Sequence, residues 1–293
     1  VGGATVPAGQ TGAGAPVFRA AAEGGFEFDT GVLRGRLAKA GRPLGLTDVV
    51  HARTGARVDS SNGLLSYYRV FTRGKRYGGG AWDWPCRARL MGSGAAGVQW
   101  PAEEGRPFDL EAEYEWVSPS VLEVRTRVKA VGKLEAFEVF LASYFASAFT
   151  NAMVLMDDSE RSGGEAAFRR AAKERGDWQM FARDHAARAL ILDGRWTLPP
   201  HPVEWALFTG LSRPVGVRRA EGLGIAFALV GAPADCFAVA TPHESEGHYS
   251  MYLSLWGRDF EAGQSGVARV RLALLEDEVE RGALDAYQRL VRP

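Results

Sequence analysis

The chain is short of most features that would fix its class at a glance. It has only two cysteines, Cys86 and Cys236, which read as buried small hydrophobes, with a disulfide between them as the alternative in oxidising surroundings; two cysteines do not make a zinc framework. It has no charge imbalance: Lys+Arg and Asp+Glu stand at 35 each, so no net field draws nucleic acid or anionic lipid. It has no long apolar run, since the longest, Phe137 to Phe149, is broken by serines and a tyrosine and is too short to span a bilayer. No Gly-x-Gly-x-x-Gly turn lies between a strand and a helix, and a Walker-type Gly-Lys-Ser/Thr and a Gly-x-Ser-x-Gly elbow are missing. Nucleic-acid, membrane and nucleotide-cofactor functions are therefore not expected, and neither is a metal or other cofactor.

What is present is alternation. In Asp109 to Trp116 (DLEAEYEW), Leu110, Ala112, Tyr114 and Trp116 alternate with acidic residues. In Val121 to Ala130 (VLEVRTRVKA), apolar residues alternate with Glu123, Arg125, Arg127 and Lys129. With Ser118-Pro119-Ser120 between them, the two segments form a hairpin whose outer charges pair across strands. Ala136 to Phe145 (AFEVFLASYF) is apolar on both faces, as a covered central strand should be. Near the end, Ala268, Val270, Leu272 and Leu274 point one way while Arg269 and Arg271 point the other.

Such strand signals, separated by Gly and Pro turns, run through nearly the whole chain. Regular alternation of strand and helix is absent. The fold class is therefore mainly β, a large antiparallel β-sandwich. The start, VGGATVPAGQTGAGAP, is small and nearly uncharged. Residues 1–25 are expected to be a flexible segment and 26–293 a single domain. Both a mature exported protein without its leader and a truncated cytoplasmic chain fit this start. A helical insertion is expected at about 160–190, where Glu165 to Ile191 is Ala-rich with Gly176 dividing it. A short C-terminal helix is expected over Glu278 to Val291, with Leu284, Tyr287 and Leu290 on one face.

Two stretches carry candidate chemistry. The turn His243-Glu244-Ser245-Glu246-Gly247-His248 places two of the five histidines beside two carboxylates, a composition suited to general acid–base work. Its spacing is one residue too long for His-Glu-x-x-His, and Pro242 and Gly247 bracket a turn rather than a helix. A metal would need a third ligand such as His201. The other stretch, Arg76 to Arg89, holds Tyr77, Trp82, Asp83 and Trp84 on a triple-glycine loop. Its aromatics either pin the loop to the sheet or line a groove in which rings stack on sugar faces and Asp83 accepts hydroxyl hydrogen bonds. Tyr144 and Tyr252 lie on strands that lead to the same region.

The long order of strands, with LSLWGRDFEAGQSGVARVRLAL near the end and AFEVFLASYF in mid-chain, resembles the galactose-mutarotase-like (aldose epimerase-type) supersandwich over roughly residues 26 to 276. The resemblance implies a carbohydrate ligand. Candidate catalytic residues are then His243, His248, Glu244 and Glu246, and candidate substrate-binding residues are Trp82, Asp83, Trp84, Tyr144 and Tyr252. Aldose epimerases carry an Asn-His pair on a mid-chain strand; here that strand reads Leu141-Ala142-Ser143-Tyr144-Phe145. Mutarotation is therefore not implied. The expected function is a carbohydrate-binding protein or a diverged sugar-active enzyme, with an epimerase or lyase and a non-catalytic accessory domain as alternatives.

Overall fold

The computed structural model describes residues 17–292 except 23, 93 and 158–165. Most of the expected flexible start lies outside the described residues; from Val17 onward the chain is already in a strand. Strands β1 (Val17–Ala20), β2 (Phe26–Asp29), β3 (Leu33–Ala38) and β4 (Gly45–His51) form a four-stranded meander in that order.

The remaining strands follow along the chain: β5 (Ser66–Thr72), β6 (Lys75–Arg76), β7 (Arg87–Leu90), β8 (Ala95–Trp100), β9 (Phe108–Ser118), β10 (Val121–Ala130), β11 (Leu134–Tyr144), β12 (Asn151–Asp157), β13 (Ala166–Arg170) and β14 (Trp178–Ala182). Beyond helix α1 (His185–Ile191) come β15 (Ala206–Thr209), β16 (Leu211–Ala220), β17 (Ile225–Gly231), β18 (Cys236–Pro242), β19 (Ser250–Phe260) and β20 (Ser265–Leu275), and helix α2 (Val279–Val291) ends the fold. They build a nine-stranded sheet, β13-β12-β16-β17-β20-β10-β9-β8-β7, and a seven-stranded sheet, β15-β14-β18-β19-β11-β5-β6. Pairing is antiparallel apart from β14 with β15.

The two large sheets bury a common core. Leu122, Val124, Val270 and Leu272 come from one, and Val139, Leu141, Leu253 and Leu255 from the other. The alternating pattern makes this possible, because each strand offers one apolar face every second residue. Two tyrosine hydroxyls cross the core: Tyr67 meets Thr126 Oγ1 at 2.6 Å, and Tyr114 donates to the Leu65 carbonyl at 3.1 Å. The hairpin of alternating charges is β9–β10, with Arg125 opposite Glu113. Mainly β architecture and an antiparallel-rich sandwich are thus as the sequence implies.

Both sheets also carry apolar residues on their outer faces. Over the nine-stranded sheet lies α2, which buries Val279, Ala283, Ala286, Tyr287 and Leu290 against β16, β17 and β20. Over the seven-stranded sheet lie α1 and the loop that follows it. The helical stretch expected at about 160–190 is shorter than its composition suggests. Residues 160–165 lie outside the described residues, Ala166–Arg170 and Trp178–Ala182 are strands, and only His185–Ile191 is α-helix. Helix propensity is a weak prior; the segment Gln179–Ala182 is captured by β18 and buried. Asp184 caps α1 by accepting from the Ala187 amide at 2.8 Å. Both cysteines are free, Cys86 half-buried and Cys236 buried, where burial pushes the Cys236 thiol up to about 12. Among the described residues no helix is long and apolar enough to cross a membrane.

Candidate functional site

A cavity of about 240 Å³ opens on the outer face of the seven-stranded sheet. Its floor is built by strand register. Phe140 and Tyr144 on β11 and Tyr252 on β19 share the outer face, with Phe140 and Tyr252 stacked at 4.5 Å.

The decisive local feature is in β5. Arg69 pairs with Phe140 but Tyr67 pairs with Leu141, so the register shifts and Tyr68 is left unpaired. A bulge of this kind breaks strict alternation. It puts Tyr68 and Arg69, neighbours in sequence, on the same outer face, with the Arg69 guanidinium 4.8 Å from the Tyr68 ring. Arg69 is 4% exposed.

The roof is the loop from Asp193 to Trp205. Arg195 fastens it: the guanidinium donates to Glu138 Oε2 at 2.7 Å, and to Asp193 through Nη2 at 2.7 Å and Nε at 3.0 Å. Arg195 and Glu138 are both fully buried. Burial drives the Glu138 carboxyl up, against the pull of Arg195. Behind this fastening, Trp196 packs edge-on against Phe140 at 4.7 Å and Trp205 at 5.2 Å. His201, on the same loop, lines the cavity and holds a left-handed φ of 58°, a strained conformation of the kind that clusters at working sites.

The third wall is the histidine turn. His243 caps a short 3₁₀ turn, Glu244–Glu246, and Gly247 leaves it at φ 84°, where a side chain would be strained. This geometry brings His248 to the cavity edge, with Nδ1 2.5 Å from Glu246 Oε2. Its ring lies 5.5 Å from Trp178 and 6.1 Å from Tyr144. With Nδ1 held by a carboxylate, Nε2 is the nitrogen left for a ligand. Burial raises the Tyr144 and Tyr252 phenols, so both remain neutral hydroxyls.

Of the residues singled out from sequence, His248, Tyr144 and Tyr252 line the cavity, and Glu246 stands behind His248. Trp82 lies just outside, stacked on Tyr68 at 5.1 Å with the Arg42 guanidinium 5.4 Å from its ring. Trp84 lies elsewhere: it is buried against Phe108 at 6.0 Å and under Arg106 at 4.2 Å. Asp83 is exposed, and neither it nor Glu244 lines the cavity. His243 is tied to Ser245 at 2.8 Å, and Ser245 to Asp177 at 3.1 Å. Among the described residues no three His, Cys, Asp or Glu side chains are grouped to hold a metal.

The sequence reading missed Arg69, Trp178, Trp196 and Trp205. A single charge inside the apolar run SYYRVFT was the available signal for the first. An apolar groove of about 570 Å³ adjoins the cavity across the same loop and shares Trp196 and Trp205 with it.

No protein-family model and no curated protein sequence matches the chain. Solved structures do. The Slr1438 protein of Synechocystis sp. PCC 6803 aligns over 86% of this chain and 95% of its own, with a TM-score of 0.52 and 11% identity. A galactose mutarotase-like protein from Lactobacillus casei aligns over 86% of this chain and 100% of its own, with a TM-score of 0.51 and 10% identity. Such low identity speaks to architecture alone. The chain has the galactose-mutarotase-like β-supersandwich fold.

Proposed function

We propose that the protein binds a carbohydrate in the cavity on the outer face of the seven-stranded sheet. The observation that carries this reading is the cavity wall itself. Tyr144, Trp178, Trp205 and Tyr252 surround a small volume that also holds Asn62 and His248. Flat rings bury the apolar C–H faces of a sugar, while a few placed polar groups fix its hydroxyls. Trp82 extends the aromatic surface beyond Tyr68. The fold shared with a galactose mutarotase-like protein supports a carbohydrate ligand.

The test is a titration of the folded chain with mono- and oligosaccharides, read by tryptophan fluorescence. A saturable change that weakens in Trp205→Ala and Trp82→Ala supports the reading. A flat response across the panel sinks it.

One observation favours a second reading, a sugar-active enzyme. The 2.5 Å contact between His248 and Glu246 orients an imidazole at the cavity edge, as a general acid or base requires. Turnover of a bound sugar that disappears in His248→Gln, with binding kept, identifies the enzyme. Binding without turnover leaves the first reading alone.

A further inference from the structure

The cavity is short of acceptors. Arg69 Nε and Nη1 and the indole nitrogens of Trp196 and Trp205 are shut away from solvent without a hydrogen-bond partner, and all three residues line the cavity. Arg69 Nη2 has only a 3.4 Å contact to the Tyr68 hydroxyl. The guanidinium lies 4.8 Å from the Tyr68 ring and 5.1 Å from the Trp196 ring. Ring faces attract a cation, but they do not satisfy its in-plane N–H groups. Native proteins rarely leave such donors unmet, and three residues with unmet donors around one cavity point to an acceptor supplied from outside the chain.

The full charges that line the cavity have one sign. Arg42 lines the same cavity, and no Asp or Glu among the described residues does. Arg76 lies just beyond, 5.7 Å from the Tyr68 ring. Burial, followed by repulsion from Arg69, pulls the Arg76 guanidinium down to about 10. Nor is Arg69 an accident of loop placement, because the β5 bulge builds it into the sheet.

We infer that the saccharide taken by this cavity is anionic, its carboxylate, sulfate or phosphate group received by the Arg69 guanidinium. This rests on the carbohydrate reading and deepens it. An oxyanion supplies paired acceptors in the plane of a guanidinium, the geometry that ring faces leave open. The aromatic wall holds the ring of the sugar while Arg42, at the exposed mouth, adds attraction. At about 240 Å³ the cavity is smaller than the ~300–1,000 Å³ typical of larger ligands, so one acidic ring is the unit recognised.

Calorimetric titration of the full chain at fixed ionic strength tests this. The ligands are glucose, glucuronate, glucose 6-sulfate and glucose 6-phosphate, with inorganic sulfate and phosphate alone. At least one acidic sugar binds about tenfold or more tightly than glucose, as a charge-assisted pair allows, and which one it is separates carboxylate from sulfate and phosphate. Arg69→Met loses that preference yet melts at a higher temperature than the parent without ligand. Arg42→Gln keeps the fold and lowers the preference severalfold. Glucose binding as tightly as every acidic sugar, or a preference that survives Arg69→Met, overturns the inference. Inorganic anions binding as tightly as the acidic sugars overturn its saccharide part. No binding by any sugar, neutral or acidic, overturns the carbohydrate reading beneath it.

Discussion

On the outer face of the nine-stranded sheet, Glu123 is met by Arg269 at 3.1 Å and Arg271 at 2.8 Å, and Arg125 by Glu113 at 2.8 Å and Glu115 at 2.9 Å. On the outer face of the seven-stranded sheet, Arg69 is met by rings. Both faces hide charge, but among the described residues Arg69 forms no ion pair, unlike Glu123 and Arg125. Two other buried arginines, Arg195 and Arg218, sharpen the contrast. Arg195 has two carboxylates, and the fully buried Arg218 donates to the Ser250, Phe149 and Pro242 carbonyls and to the Thr241 hydroxyl. A completed network stabilises a fold. An incomplete one costs stability, and its persistence beside a cavity points to a ligand.

The sharpest way to break the comparison is to remove one partner of a fully buried ion pair. Glu138→Ala leaves Arg195 buried with one partner fewer and should cost about 3–5 kcal/mol, the range for breaking a buried pair. Chemical denaturation measures it, and Trp196 fluorescence should report a loosened roof.

Glu123→Gln should cost less, about 1.5–3 kcal/mol, the worth of hydrogen bonds to a charged group. Its pH behaviour is distinctive. Burial alone would raise the Glu123 carboxyl, but hydrogen bonds from Arg269 and Arg271 hold it below the ordinary range. The parent's extra stability is therefore present above the unfolded carboxylate range and lost as pH falls through the depressed folded value. Thermal midpoints of parent and variant should converge in acid; a constant gap from neutral to acid would contradict this.

Arg69→Met runs the other way. Removing an unmet buried cation should stabilise the unliganded chain by about 1–2 kcal/mol, since an unsatisfied buried group carries a desolvation penalty. A destabilised variant would mean that Arg69 is already satisfied. The smallest effect is expected at His248, whose side chain is 49% exposed. His248→Ala should change stability by no more than about 0.5 kcal/mol while altering what happens to a bound ligand. Unchanged binding and no turnover difference would remove His248 from the site.

The two faces were unequally legible in the sequence. The completed one could be read directly: alternation over Asp109–Trp116 and Val121–Ala130 fixes which residues face out, and cross-strand charge follows from register. The candidate site resisted for reasons that can be named. The bulge at Tyr68 breaks the period-two rule, so Arg69 could not be assigned to a face. Trp82 and Trp84 look equivalent in a Gly-rich loop, yet one flanks the cavity and the other enters the core. That the loop after α1 roofs the site depends on Arg195 reaching Glu138, 57 residues away, a contact no local pattern announces. The histidine turn, in contrast, was visible from Pro242 and Gly247, and it does bring His248 to the cavity.

The most direct test of the central claim, that the outer face of the seven-stranded sheet is completed by a ligand, is a crystal structure of the chain soaked with glucuronate. The account predicts the sugar between Tyr144, Trp178 and Trp205, with carboxylate oxygens about 2.7–2.9 Å from Arg69 nitrogens, the spacing of a charge-assisted pair. A sugar bound elsewhere, or seated in the cavity with its carboxylate turned away from Arg69, would contradict it.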